Sequence, residues 1–316
     1  MKIGYLWFAL IVLSCTSLFV GVSDISPRHL FSMTEYQWEI MKISRIPRLI
    51  SIVIAGVGMS VVGLIMQQLA RNKFVSPSTA GTTDSASLGV LVSILLFPGA
   101  SPLVKVAIAF VFALAGTLLF MRILTKIQFR DPILIALVGL MFGGIVGSAT
   151  TFLALKYNLL QSVNSWLFGS FSSILKGNYE MLYVSLPLIL IAYLYANRFT
   201  IAGMGEEFAV NLGLKYRQVV NLGLGIVALV SAVILLTVGS LPFLGLIIPN
   251  LVSIYKGDNL RSSLPHTALL GAVFVLACDI LGRLIIYPYE ISIGLMVGVI
   301  GSGIFLYLLL RRKNYA

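Results

Sequence analysis

The residues able to do chemistry in this chain are few, and most are charges at the ends of apolar runs. Arg45 and Arg48 stand three apart where a long apolar stretch begins, which puts them on one face of a helix start. Asp279 and Arg283 stand four apart near the end of another such stretch, with Glu290 in the turn that follows. Two readings are open for each set. Arginines at the end of a membrane span snorkel to the headgroups, or they await an acidic partner. The Asp279–Arg283 pair neutralises itself along the helix, or Asp279 orients Arg283 towards a partner. Catalytic chemistry has little to work with. There is no Gly-x-x-x-x-Gly-Lys-Ser/Thr phosphate loop, so any ATP would be bound by another subunit. His29 and His266 are isolated, and Cys15 and Cys278 each sit inside an apolar run and read as small buried hydrophobes. Neither pattern suggests a metal or a nucleophile. A proton-coupled transporter would be expected to carry a chain of buried carboxylates, and none is present. The chain is expected to be no enzyme and to hold no cofactor of its own.

A second set of residues suits recognition. In 198–217 the run Gly205-Glu206-Glu207-Phe208 leads to Leu212-Gly213-Leu214. Acidic residues in a first turn complement the helix dipole, and Gly213 suits a helix stop. Phe208 and Leu212, four apart, share a face. The spacing predicts a short amphipathic helix that lies on the membrane or docks into a partner. Its acidic start disfavours anionic lipid and favours the partner. The polar stretch 71–84 reads as a connecting loop, and 239–250, with Pro242, Pro249 and two glycines, as a broken helix. Broken helices are tolerated at depth only inside protein or along a cavity.

The elements that must position these residues follow from composition. Of 316 residues, 59% are hydrophobic and 10% charged, against about 25% charged in soluble domains. Such a chain needs lipid as solvent. At about 20 apolar residues per crossing, ten segments qualify: 5–22, 46–69, 85–98, 103–124, 132–156, 179–197, 218–237, 242–256, 265–287 and 291–310. The expected fold is all-α and polytopic, one transmembrane domain over 1–316. The net charge of +11 raises nucleic acid as a partner, but basic residues gathered in cytoplasmic loops explain it better. With the N-terminus inside, those loops hold Lys2, Arg71, Lys73, Arg122, Lys126, Arg130, Arg198, Lys215, Arg217, Lys256, Arg261 and Arg311 to Lys313, which is 14 of the 22 basic residues. Both termini are then cytoplasmic. Arg45 and Arg48 fall outside, against that bias.

The motifs together resemble one family. They are Arg45-Ile-Pro-Arg48, Gln67 to Asn72 followed by Pro77 and Gly81, the segment 205–214, Phe243-Leu-Gly-Leu-Ile-Ile-Pro249, Leu264-Pro-His266, Asp279 with Arg283, and Gly301 to Phe305. The chain resembles the FecCD-type permeases of ATP-binding cassette (ABC) importers over nearly its whole length, most of all those serving catecholate siderophores such as petrobactin. The resemblance implies a BtuC-like fold of ten transmembrane helices, that of a type II importer. It implies a pair of permease subunits, two cytoplasmic ATPase subunits that carry ATP and magnesium, an extracytoplasmic binding protein or lipoprotein, and iron–siderophore cargo. Gly205, Glu206, Glu207, Phe208, Leu212, Gly213 and Leu214 would then couple to the ATPase, and Arg45, Arg48 and Arg283 would face the binding protein. Gly143, Gly147, Ser148, Met296, Gly298, Gly301 and Ser302 would line the translocation path, although small residues of this kind equally serve close helix packing. Asn250, where many members have His, and Gly301 to Phe305, where many have Gly-Ala-Pro-Phe-Phe, depart from the family pattern. The alternatives are a stand-alone secondary transporter or channel, or an integral membrane enzyme. The acidic helix within 198–217 has no evident use without a partner.

Overall fold

In the computed structural model, residues 2–21, 34–126 and 132–313 are described, with backbone alone for Ser165, Trp166, Leu309 and 311–313. The expected outer loop is thus seen from Thr34 onward, and His29 and Arg130 lie outside the described residues. All regular structure among the described residues is helical: α1 Ile3–Phe19, α2 Glu35–Ile40, α3 Ile46–Leu69, α4 Thr82–Leu96, α5 Pro102–Lys126, α6 Pro132–Lys156, α7 Leu160–Phe168, α8 Ser185–Leu194, α9 Ala196–Gly203, α10 Glu206–Asn211, α11 Tyr216–Thr237, α12 Leu244–Lys256, α13 Leu260–Leu284 and α14 Ile293–Lys313.

Each of the ten expected segments carries a helix. Five helices are long and apolar enough to cross a membrane: Glu35–Leu69, in which α2 and α3 join through a π-turn at 41–45, together with α5, α6, α11 and α13. A sixth crossing results if Glu180–Leu194 and α9, bent by 63°, count as one. The apolar helices α1, α4, α12 and Ile293–Leu308 are shorter, at 10–17 residues. Length and composition thus support five or six crossings, with four shorter apolar helices at the other expected segments, among the described residues. α1 ends at Phe19, three residues before the expected limit, where Val20 turns extended.

α3 is the axis of the structure. Most of its residues are buried, on all sides rather than one, which is why its sequence shows no amphipathic stripe. Small residues let its neighbours close in. A Cβ added to Gly56 would lie 2.8 Å from the carbonyl oxygen of Gly271 in α13, and one on Gly63 would lie 2.1 Å from that of Gly245 in α12. Dispersion between closely approaching backbones holds helices together where lipid offers no hydrophobic gain. Gly63→Ala should therefore force backbone apart and destabilise by at least about 1–3 kcal/mol, read as a lower unfolding temperature in detergent. α6 is the opposite case. Leu140, Met141, Ile145 and Phe152 are exposed on it, and its described contacts are chiefly with α4, with fewer to α5 and α7.

Candidate functional site

At one end of α3 the chain builds an exposed helix on a rigid base. α9 buries Ala196, Phe199 and Ala202. Its last residue, Gly203, sits so close to Gln68 of α3 that an added Cβ would be 2.2 Å from Oε1. Gly205, at φ +120°, turns the chain into α10, a conformation side chains resist. Glu206 and Glu207 occupy the first turn of α10, where the dipole favours them. The helix then stops in a Schellman motif: the Leu214 N–H donates to Ala209 O at 2.9 Å and the Gly213 N–H to Val210 O at 2.8 Å. Gly213 has φ +76°. The short helix expected from its acidic first turn and its glycine stop is α10, and Gly205 separates it from α9. Only Ala209 of α10 is buried, while Phe208, Val210 and Leu212 are 50%, 54% and 59% exposed. A recess of about 850 Å³ beside it is lined by Arg71, Met204, Glu207 and Phe208. Another of about 590 Å³ is lined by Arg198, Leu214, Lys215 and Leu222. An apolar ridge with an acidic start, set between recesses, suits a protein partner. Burying each of its large side chains there is worth about 1.5–3 kcal/mol.

At the other end of α3 the charges pair with one another. Arg48 Nη2 lies 2.8 Å from Asp279 Oδ1, and its Nη1 lies 2.9 Å from Glu290 Oε1. Arg283 Nη2 lies 2.6 Å from Asp279 Oδ2. Arg283 also donates to Ser17 O at 3.1 Å, Val20 O at 2.7 Å and Ser17 Oγ at 2.6 Å, and Arg45 donates to Val20 O. The last carbonyls of a helix have no partner within it. Here two guanidinium groups serve those of α1. Of the two readings open for Asp279 and Arg283, the pair that neutralises itself along the helix is the one seen. Arg45 and Arg283 are buried, at 8% and 3% exposure, because the end of α1 needs their donors. Asp279 joins Arg283 to Arg48 rather than aiming it outward. Only Arg48 and Glu290 reach the rim.

With both ends described, comparison with known proteins is decisive. Residues 9–311 match the FecCD transport family. The chain belongs to that family. It is similar to a petrobactin import system permease protein of Bacillus subtilis, with 66% identity over the full length of both chains. It is also similar to a ferric-anguibactin transport system permease protein of Vibrio anguillarum, with 40% identity over 96% of each. A solved inward-facing metal-chelate-type ABC transporter shares its fold, with a TM-score of 0.83 at 24% identity over 98% of each chain. Family membership and the apolar helices make this a multi-pass membrane protein.

The residues expected along a path divide in this FecCD chain. On α6, Ser148 is exposed and Gly147 half-buried, whereas Gly143 is covered by Asp84. On α14, Gly298 and Ser302 are half-buried, but Met296 and Gly301 are buried. Met296 and Gly301 pack against neighbouring helices within this chain. Met296 Cγ closes on Gly282 of α13, and Gly301 closes on Ile247 and Phe243. Cys15 is also exposed, not buried, because α1 packs on one side only; Cys278 is buried.

Two residues outside the expected set turn out to matter. Pro249 lies inside α12 and lacks the N–H that Gly245 O would accept. Gln67 Nε2 of α3 supplies donors instead, to Gly245 O at 3.4 Å and Leu246 O at 3.2 Å. The signal was in the sequence. A proline in a buried helix leaves a carbonyl to be satisfied, and Gln67 is one of two adjacent amides, with Gln68, at the end of a facing apolar run. Asn250, the departure from the family pattern, donates to Lys73 O at 2.8 Å and Leu246 O at 2.7 Å, which ties α12 to the segment after α3.

Proposed function

We propose that the chain is the membrane-spanning permease subunit of an ABC importer for iron–siderophore complexes, lying in the cell membrane with both termini cytoplasmic. The observation that carries this reading is α10: a short acidic-started helix, its apolar side chains bare, clamped to the end of α3 by Gly203 and Gln68. A ridge held so firmly is suited to pass a push from a partner into the bundle, which is what an ATPase subunit supplies. Gly205, Glu206, Glu207, Phe208, Leu212, Gly213 and Leu214 are the coupling residues. ATP and magnesium sit on that partner, and this chain does no chemistry of its own. The cargo assignment rests on the petrobactin and ferric-anguibactin permeases that the chain is similar to.

On the outer face a loaded binding protein docks. Charges there govern orientation and on-rate more than affinity. Because Arg45 and Arg283 are engaged with α1, the charges presented to it include Glu290, the edge of Arg48, Glu35, Glu39, Lys42, Lys176 and Glu180. The exposed side of α6 supports pairing with a second permease subunit, with cargo passing between the two. Gly147, Ser148, Gly298 and Ser302 keep the walls narrow enough for helices to shift past one another. No residue has to strip iron from its chelator.

The test is reconstitution of the tagged chain with its co-purifying subunits in proteoliposomes. The expected result is a stoichiometric ATPase subunit and uptake of 55Fe-petrobactin that needs Mg-ATP and a binding protein. Uptake by the chain alone, without an ATPase, would instead make it a stand-alone transporter.

A further inference from the structure

Asp84 is the one acidic residue that the sites above leave without a use although it lies deep in the bundle. It belongs to the first turn of α4, not to the loop before it. Its carboxylate rests against α6. A Cβ on Gly143 would lie 2.7 Å from Oδ2, and one on Gly147 would lie 3.9 Å from Oδ1. Those glycines stand midway along α6, so the carboxylate lies ~17 to 20 Å from either end of that helix at 1.5 Å per residue. The two absent side chains are what make room for it.

No cation among the described residues accompanies the carboxylate. Ion pairs among the described residues join Arg48 to Asp279 and Glu290, Lys73 to Asp258, and Arg283 to Asp279. The basic residues on helices packed against α4 are Lys105, Arg122 and Lys126 of α5, Lys156 of α6 and Arg217 of α11, and each stands near an end of its helix. α7 carries no charge. The start of α4 offers Asp84 a favourable dipole, but that is a fraction of a charge. An ionisable group at membrane depth is costly and is retained where it meets a substrate or ion. Asp84 is half-buried rather than sealed, and its Oδ1 lies beside Gly147, which is itself half-buried and precedes the exposed Ser148.

We propose that Asp84 is a specificity-determining residue of the import path, where it receives a cationic, N–H-bearing group of the passing ferric chelate. The chemistry is complementary: a carboxylate accepts charge-assisted hydrogen bonds, and the glycine hollow sets it back far enough for a bulky arm to enter. This proposal rests on the importer function given above and names the feature of the cargo that the path reads.

The experiment uses the whole transporter in proteoliposomes and counts 55Fe-petrobactin imported per ATP hydrolysed. Asp84→Asn keeps shape and a hydrogen-bonding oxygen but removes the charge, and it should lower that ratio about tenfold. Asp84→Glu should restore most of it. An Asn variant with a wild-type ratio would overturn the proposal, and so would an Asn and a Glu variant that both fail to assemble with the ATPase, because the residue would then be structural. A wild-type transporter that imports no 55Fe-petrobactin would overturn the siderophore reading and this proposal together.

Discussion

Arg283→Met is expected to lower the stability of the folded chain by about 3–5 kcal/mol, the usual cost of removing one partner from a buried ion pair. The loss has two sources. Asp279, itself buried, keeps only Arg48, and the end of α1 loses the donors to Ser17 O, Val20 O and Ser17 Oγ. Thermal unfolding of the detergent-solubilised chain is the measurement, with folded yield as a second one. Arg283→Met combined with Asp279→Leu should recover part of the loss, because replacing both members of a buried pair by apolar groups is often close to neutral. A double-mutant cycle then separates the pair from the helix-end contacts. An Arg283→Met chain as stable as the parent would show that α1 is held by packing alone. Charge reversal at Arg45, Arg48 and Arg283 together should fail at folding, so docking defects are best sought with Glu35, Glu39 and Lys42.

Leu212→Asp should do the opposite: leave the chain folded and stop import. Leu212 is 59% exposed and caps α10, so the isolated chain should change by less than about 0.5 kcal/mol. At the partner, a charge placed at a central apolar contact costs at least about 2 kcal/mol, a ~30-fold loss of affinity for the ATPase subunit. Co-purification of the ATPase and uptake of 55Fe-petrobactin should fall together while the unfolding temperature holds. Undiminished uptake would remove α10 from the coupling role.

The contrast between these two sites shows what sequence can and cannot reveal. α10 was legible because everything that defines it is local: acids in the first turn, apolar residues four apart, a glycine at the stop. The apolar helices were legible for the same reason, since a continuous run announces itself. The arginine network was not, because Arg283 meets Val20 from 263 residues away, and no spacing along the chain says that one helix end will need another helix's guanidinium. The number of crossings is less legible, because for helices as short as α1, α4, α12 and Ile293–Leu308 apolar length alone does not tell a crossing from a buried half-helix. On α14 the choice between a path and a packing role stays open in sequence, because Met296 and Gly301 look the same whether they face a path or a neighbour.

Gln67 and Pro249 have a consequence for the history of the chain. Gln67 answers for a hydrogen-bond donor that proline removed from α12. The two positions are therefore ordered in time. A lineage can surrender the proline first, let the new amide reclaim the Gly245 carbonyl, and only then lose the glutamine. The reverse order passes through an intermediate with a buried carbonyl and nothing to meet it. Drift at these sites runs as a ratchet, with the glutamine locked in for as long as the proline stays.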